Sequence, residues 1–168
     1  MNSSTVTLIP ARRDLLEALI SDPRSFERLV GSPIPAGWPE FPESVEHTLT
    51  SLRSAPTSAT SEWTMHLFTE TATGALIGSG GYYGPPVDGV VEIGYEIAPE
   101  FRGRGLATHA AAALIQKAAD AGVTQIKAHT LAGPNPSTGV LNALGFEFVA
   151  EQHDPDEGPL WEWSRALV

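Results

Sequence analysis

The sequence predicts an α/β (α+β) protein in which helices cover both faces of one mixed sheet. Three observations support this prediction. Residues 63–83 alternate apolar and polar side chains around a Thr73-Gly74 turn, as in a β-hairpin. Later strand-like segments alternate with helix-like ones, which is typical of a sheet that also contains parallel strands. The 168 residues fit one domain over 1–168, long enough to bury a core.

The first third of the chain is predicted to be mainly helical. Apolar residues recur at helical spacing, and Pro23 and Gly31 are placed to begin and end a helix. A proline-rich loop over 31–42 carries two aromatic side chains, Trp38 and Phe41. The predicted elements are a strand over 5–9, helices over 12–20, 23–30 and 43–52, and a loop over 54–61.

Strands dominate the rest of the chain and bring the expected total to about seven. The segment over 90–97 is strongly strand-like, and Gly94 inside it indicates a bulge or a close backbone approach. A long Ala-rich helix follows, with Gly122 as its C-terminal cap. The predicted strands span 63–69, 75–83, 90–97, 125–130, 146–150 and 160–166, and the predicted helices span 106–121 and 137–144.

The composition excludes several classes of function. Ten Lys and Arg against twenty Asp and Glu give a formal charge of −10, which argues against a nucleic-acid or anionic-membrane partner. This charge allows a cationic partner; the alternative is that it only keeps the protein soluble. The chain has no cysteine, so a disulfide, a thiolate zinc site and a cysteine nucleophile are excluded. Scattered histidines predict no metal site, and the lack of a signal or spanning segment predicts a cytoplasmic protein.

One segment carries a chemical signal: a strand that ends at Pro99, a short basic loop with two glycines, and a helix that begins at once. This order directs free backbone N–H groups and the positive end of the helix dipole at one point, where phosphate binds favourably. Gly103 and Gly105 allow close backbone approach, and Arg102 and Arg104 add positive charge. A plain steric turn is the alternative. Neither the Walker pattern nor the dinucleotide fingerprint is present.

This loop resembles that of the GNAT superfamily. Arg102-x-x-Gly105-x-Ala107 matches the superfamily's acetyl-coenzyme A pyrophosphate signature. Blocks over 128–131, 135–138 and 140–146 are similar to the branch of ribosomal-protein-alanine N-acetyltransferases.

The resemblance implies a mixed, twisted, mostly antiparallel sheet of about seven strands. Its two central parallel strands splay apart around the pantetheine arm of acetyl-CoA, the co-substrate, and no metal is implied. In this family a bulge on the strand of Gly94 frees backbone groups for the pantetheine and the thioester. The implied cofactor contacts are Ile97, Arg102, Gly103, Arg104, Gly105, Leu106, Ala107 and Asn135.

Acetyl transfer to an amine needs a group that removes a proton from the ammonium and a group that protonates the leaving thiolate. Glu92 and Glu96 interrupt an apolar strand, where burial raises a carboxyl pKa, and strand alternation puts both on one face. Glu92 is the first candidate for the base and Glu96 the second; a structural ion pair or a solvated strand end is the alternative role. Many members use a tyrosine as the acid where this chain has Leu141, so the resemblance suggests Ser137 instead.

Three aromatic residues, Trp38, Phe41 and Tyr83, are candidates to border the acceptor, and packing inside the protein is the alternative for each. The leading hypothesis is an N-acetyltransferase, monomeric or homodimeric, that moves the acetyl group directly to a primary amine. That amine is either a protein N-terminus or a small molecule. The alternative is a non-catalytic acyl-CoA-binding sensor or interaction domain.

Overall fold

The computed structural model describes residues 5–54 and 62–167, and the order of elements in these residues agrees with the prediction. The loop expected over 54–61 lies outside the described residues, apart from Ser54 at the end of the third helix. The helices are α1 (Arg13–Ser21), α2 (Pro23–Val30), α3 (Pro42–Ser54), α4 (Leu106–Asp120) and α5 (Pro136–Ala143). The strands are β1 (Val6–Pro10), β2 (Met65–Glu70), β3 (Leu76–Tyr82), β4 (Val90–Ile97), β5 (Gln125–Leu131), β6 (Glu147–Asp154) and β7 (Gly158–Ala166).

The seven strands form one sheet in the order β1-β2-β3-β4-β5-β7-β6. Every neighbouring pair is antiparallel except β4 and β5, which are parallel. The predicted mixed, mostly antiparallel sheet is therefore confirmed. The hairpin of β6 and β7 joins the sheet through β7, so β6 is left at the edge.

Helices cover both faces of the sheet, as predicted. On β2 and β3, Phe68 and Ile77 pack in the core cluster that contains α4. Their neighbours Leu67 and Leu76 pack in a second cluster with α1, α2 and α3. Side chains alternate along a strand, so each of these strands contributes to both cores. The face covered by α1–α3 is called the α3 face below.

The two parallel strands separate halfway along their length. β4 pairs with β5 from Val90 and Gln125 as far as Ile93 and Ala128. Beyond that point β5 continues to pair with β7, so it leaves β4 without a partner on that side from Gly94 onward. This is the splayed opening that the resemblance implies, and it is called the gap below.

The bulge expected at Gly94 is wrong. The antiparallel register of β3 with β4 runs without a shift from Gly78 and Ile97 to Tyr82 and Ile93. The other predicted reason, a close approach, is observed: a Cβ atom at Gly94 would lie 2.5 Å from the Tyr83 hydroxyl oxygen, so the exposed Tyr83 ring would have to move to admit it. Backbone groups are therefore freed by the divergence of β5 and not by a bulge.

Candidate active site

Backbone groups in the second half of β4 point into the gap. The Ala98 N–H donates to the Ile77 carbonyl at 2.8 Å, across to the β3 side. Bonding direction alternates along an antiparallel ladder, so Tyr95 and Ile97 direct their N–H and C=O groups to the opposite side, toward the gap. The Ile97 carbonyl accepts a hydrogen bond from Arg102 Nε at 2.8 Å. The Tyr95 groups and the Ile97 N–H are thus the polar backbone groups that face a molecule entering the gap.

The loop before α4 has the form of an anion site. Gly103 and Gly105 have φ angles of 77° and 74°, in the left-handed region that favours glycine. A Cβ atom on either residue would meet no atom within 4 Å, so the space beside the loop is open. Leu106 and Ala107 begin α4, where backbone N–H groups have no partner inside the helix. Open space, free donors and the helix dipole together fit a pyrophosphate group.

The two arginines of this loop already have carboxylate partners. An Arg102 terminal nitrogen lies 3.2 Å from Glu40, and an Arg104 terminal nitrogen lies 2.6 Å from Glu70. Arg104 also lies over the Phe101 ring, 6.0 Å from its centroid. A phosphate must therefore share or displace these partners to gain the arginine charges.

A cavity of about 520 Å³ lies on the α3 face of β4. Its walls come from α3, from the end of the 31–42 loop, and from β3 and β4. Residues Gly94, Tyr95 and Glu96, which begin the unpaired part of β4, border it directly. The cavity and the gap therefore meet at the same three residues of one strand.

Glu96 is the carboxylate of this cavity. Its Oε1 accepts a hydrogen bond from the Glu40 N–H at 2.8 Å, just before α3 begins at Pro42. Burial raises the pKa of Glu96, and the Glu40 and Phe41 backbone N–H groups only partly oppose this effect. A half-buried carboxylate with a raised pKa is suited to accept a proton.

Glu92 lies on the same face as Glu96 but outside the cavity wall. Its Oε2 is 3.0 Å from His129 Nδ1, and His129 Nε2 is 3.1 Å from Gln152 and 3.6 Å from Glu162. This is the structural ion pair named as the alternative for Glu92.

The three aromatic candidates have different positions. Trp38 has the packing role named as its alternative: it is 4% exposed, stacks on Phe26, and donates from Nε1 to the Ser79 hydroxyl at 2.9 Å. The loop turns this large ring into the core, where its apolar area is buried. Phe41 and Tyr83 both line the cavity, and both are largely exposed.

Asn135 and Ser137 lie at the start of α5. Asn135 caps the helix: Oδ1 accepts from the Thr138 N–H at 3.0 Å, and Nδ2 donates to the carbonyls of Leu131 and Gly133. Both ends of the Asn135 amide are therefore engaged locally. The Ser137 hydroxyl takes no part in these capping hydrogen bonds.

Tyr95 links β4 to the start of α5. Its hydroxyl donates to the Ser137 carbonyl at 3.5 Å. Burial raises the pKa of Tyr95 to about 12, so its hydroxyl keeps its proton at neutral pH. Ser137 is thus positioned beside the residue whose backbone faces the gap.

Residues of α3 also line the cavity, a role that the sequence did not predict for them. Ser44, Thr48 and Ser51 recur at helical spacing on the cavity face, while Val45 and Leu49 face the core. Small polar residues are also the ordinary content of a solvated helix face, so the sequence carries no signal that separates the two roles.

Within residues 5–54 and 62–167, no group of three or more His, Asp or Glu side chains is placed to hold a metal ion. No helix in the described part of the chain is both long and apolar enough to cross a membrane.

An open glycine-containing loop at a helix start, beside two splayed parallel strands, is the arrangement expected of an acyl-CoA-dependent acyltransferase. The sequence model of the acetyltransferase (GNAT) domain family matches residues 5–147. The chain belongs to this family, and the predictions of an acetyltransferase and of acetyl-CoA as its co-substrate are confirmed. No curated protein sequence matches the chain.

Several solved structures share the fold. RimL, a ribosomal-protein alpha-N-acetyltransferase in complex with coenzyme A, is 18% identical, with a TM-score of 0.70 over 98% of this chain and 95% of that one. A ribosomal-protein alanine acetyltransferase from Vibrio fischeri is also 18% identical, with a TM-score of 0.69 over 99% and 95%. The microcin self-immunity acetyltransferase MccE, bound to acetyl-CoA and AMP, is 15% identical, with a TM-score of 0.67 over 98% and 94%.

Proposed function

We propose that the protein moves an acetyl group from acetyl-CoA directly to a primary amine, a protein N-terminus or a small amine. The observation that carries the proposal is the double role of residues 94–96. On one side these residues border the gap between β4 and β5, and on the other they border the cavity that contains Glu96. A thioester in the gap and an amine in the cavity would meet across this short segment.

The chain's own groups have distinct parts in this proposal. The backbone from Gly103 to Ala107 would hold the pyrophosphate, and the outward-facing groups of Tyr95 and Ile97 would hold the pantetheine arm. Acetyl-CoA supplies the activated acetyl thioester. Without a cysteine in the chain, no thiol acyl-enzyme can form, which favours direct transfer.

Proton transfer is assigned to two side chains. Glu96 takes a proton from the bound ammonium, so that the amine nitrogen has a free electron pair for the acetyl carbon. As the tetrahedral intermediate collapses to the amide, the nitrogen loses its second proton to solvent. In the same step the carbon–sulfur bond breaks, and the Ser137 hydroxyl gives a proton to the leaving thiolate and recovers one from solvent. Glu96 is preferred to Glu92 as the base because it lines the cavity, whereas Glu92 pairs with His129.

Names of two structural relatives support a protein N-terminus as one acceptor class, since both are ribosomal-protein acetyltransferases. The same relatives support a cytoplasmic location. The fold they share with this chain also occurs in MccE, whose structure was solved with AMP and whose name points to microcin, so the fold alone does not select the acceptor.

The test is release of free thiol from acetyl-CoA with a panel of amines. The chain has no cysteine, so a thiol reagent gives no protein background. We expect amine-dependent thiol release and an equal amount of N-acetylated product by mass spectrometry. Acetyl-CoA binding without turnover on any amine would support a non-catalytic binding domain instead.

A further inference from the structure

We infer that the acceptor is a compact amine with a single positive charge and an apolar or aromatic body, held in the cavity between α3 and β4. This inference rests on the proposed function, because it assigns that cavity to the acceptor. It narrows the acceptor from primary amines in general and disfavours polyamines and basic polypeptides.

Charge is the first argument. Glu96 is the only one of the twenty Asp and Glu residues among those that line the cavity in the described part of the chain, and no Lys or Arg lines it there. One half-buried carboxylate matches one ammonium. A second ammonium in the same cavity would find hydroxyl groups and the His47 ring but no second carboxylate, so it would lose hydration without an opposite charge beside it, which is costly.

A net charge of −10 is compatible with an acidic surface around the acceptor site, which would attract polycations. Some acidic residues lie close to the cavity without lining it: the charge of Glu40 acts on Glu96, and the charges of Glu92 and Glu157 act on Tyr83. Glu40 pairs with Arg102, and Glu92 lies beside His129, so partners outside the cavity already engage these two carboxylates. Glu96 is thus the carboxylate that an ammonium inside the cavity contacts directly.

Shape and polarity are the second argument. Phe41, Leu52, Met65, Tyr83 and Pro85 give the cavity an apolar lining around the carboxylate. Gly81 of β3 and its register partner Gly94 of β4 also line it, and they leave strand backbone without side chains there. A flat or extended apolar group fits such a surface, and about 520 Å³ lies within the size range of small-molecule sites.

A matched pair of substrates tests the charge. Hexylamine and 1,5-diaminopentane have chains of equal length, and they differ at the far end, which is a methyl group in one and an ammonium in the other. At saturating acetyl-CoA and neutral pH, we expect kcat/KM to be at least 10-fold higher for hexylamine, with phenethylamine also preferred to the diamine. Equal rates, a faster diamine, or at least 10-fold faster turnover of an Ala-terminated basic peptide would overturn the inference while leaving the proposed function intact.

A matched pair of variants tests the location. Thr48→Phe on α3 adds a ring at the half-buried cavity wall, and Thr50→Phe adds the same ring at an exposed position that does not line the cavity. We expect T48F to lower kcat/KM for hexylamine at least 10-fold and T50F to change it less than twofold, with the acetyl-CoA Kd unchanged in both. Equal effects of the two variants would show that the amine binds elsewhere. No turnover with any amine, despite acetyl-CoA binding, would refute the proposed function itself.

Discussion

The loop before α4 gives the sharpest test of the cofactor site, through Gly105→Ala. At a φ of 74°, an alanine is strained by about 1–2 kcal/mol, which corresponds to a fall in Tm of about 2–8 °C in a chain of this length. The new methyl group would also project into the open space assigned to the pyrophosphate. Loss of one or more charge-assisted hydrogen bonds, worth about 1.5–3 kcal/mol, weakens acetyl-CoA binding roughly 10- to 100-fold.

The control is Gly122→Ala, just beyond the other end of α4. Gly122 has a φ of 92°, and a Cβ atom there would also meet no atom within 4 Å. The strain is therefore matched, while the site lies roughly 22 Å away along the helix axis. Isothermal titration calorimetry with acetyl-CoA and thermal unfolding are measured for both variants. We expect similar losses of Tm and weaker binding in G105A alone; equal acetyl-CoA affinities in the two variants would refute the assignment of the loop.

Three further predictions concern ionisable residues. Glu96→Gln should lower kcat about 100-fold or more and remove the acidic limb that Glu96 contributes to the pH–rate profile. The midpoint of that limb in the native protein should lie above the ordinary glutamate pKa, because burial raises the pKa of Glu96; a loss of kcat below threefold would place the base elsewhere. Glu40→Gln frees Arg102 from an exposed ion pair, so calorimetry should show severalfold tighter acetyl-CoA binding and little change in stability, and weaker binding would contradict this. Burial, and secondarily Lys117, lowers the pKa of His66 to about 4. The neutral His66 ring therefore contributes fully to the free energy of unfolding above pH 6.5, and this contribution is lost as the pH falls toward 4. The free energy of urea unfolding should depend less on pH over this range in His66→Gln than in the native protein.

Much of the fold was predictable because its signals are local. Period-two alternation around the Thr73-Gly74 turn identified the β2–β3 hairpin, and the glycine at position 122 marked the end of α4. The strand β6 runs to Asp154, beyond the predicted end at 150. The prediction ended too early because β6 is an edge strand exposed along most of its length, so its last residues show no apolar alternation. The insertion of β7 between β5 and β6 depends on non-local pairing, which no segment of sequence encodes by itself.

The cofactor loop was more predictable than the acceptor site for a physical reason. A phosphate site of this kind is built from consecutive residues, so its glycines appear together in the sequence. The cavity combines residues from α3, β3 and β4. The choice between Glu92 and Glu96 as the base depends on partners that are distant in sequence. His129 engages the first, and the Glu40 backbone orients the second. The inward orientation of Trp38 was not predictable, because a proline-rich sequence does not indicate which aromatic side chains turn toward the core.

The separation of α3 into two faces has a consequence for how such a protein changes over time. Val45 and Leu49 anchor the helix in the core, while the residues at 44, 48 and 51 face the cavity. The loop at 102–107 and the gap lie on other elements. With the acceptor in the cavity, as proposed, substitutions on the cavity face of this helix would exchange one amine for another while cofactor binding and folding stay intact. Diversification of acceptors within a constant scaffold would then require changes at only a few exposed or half-buried helix positions.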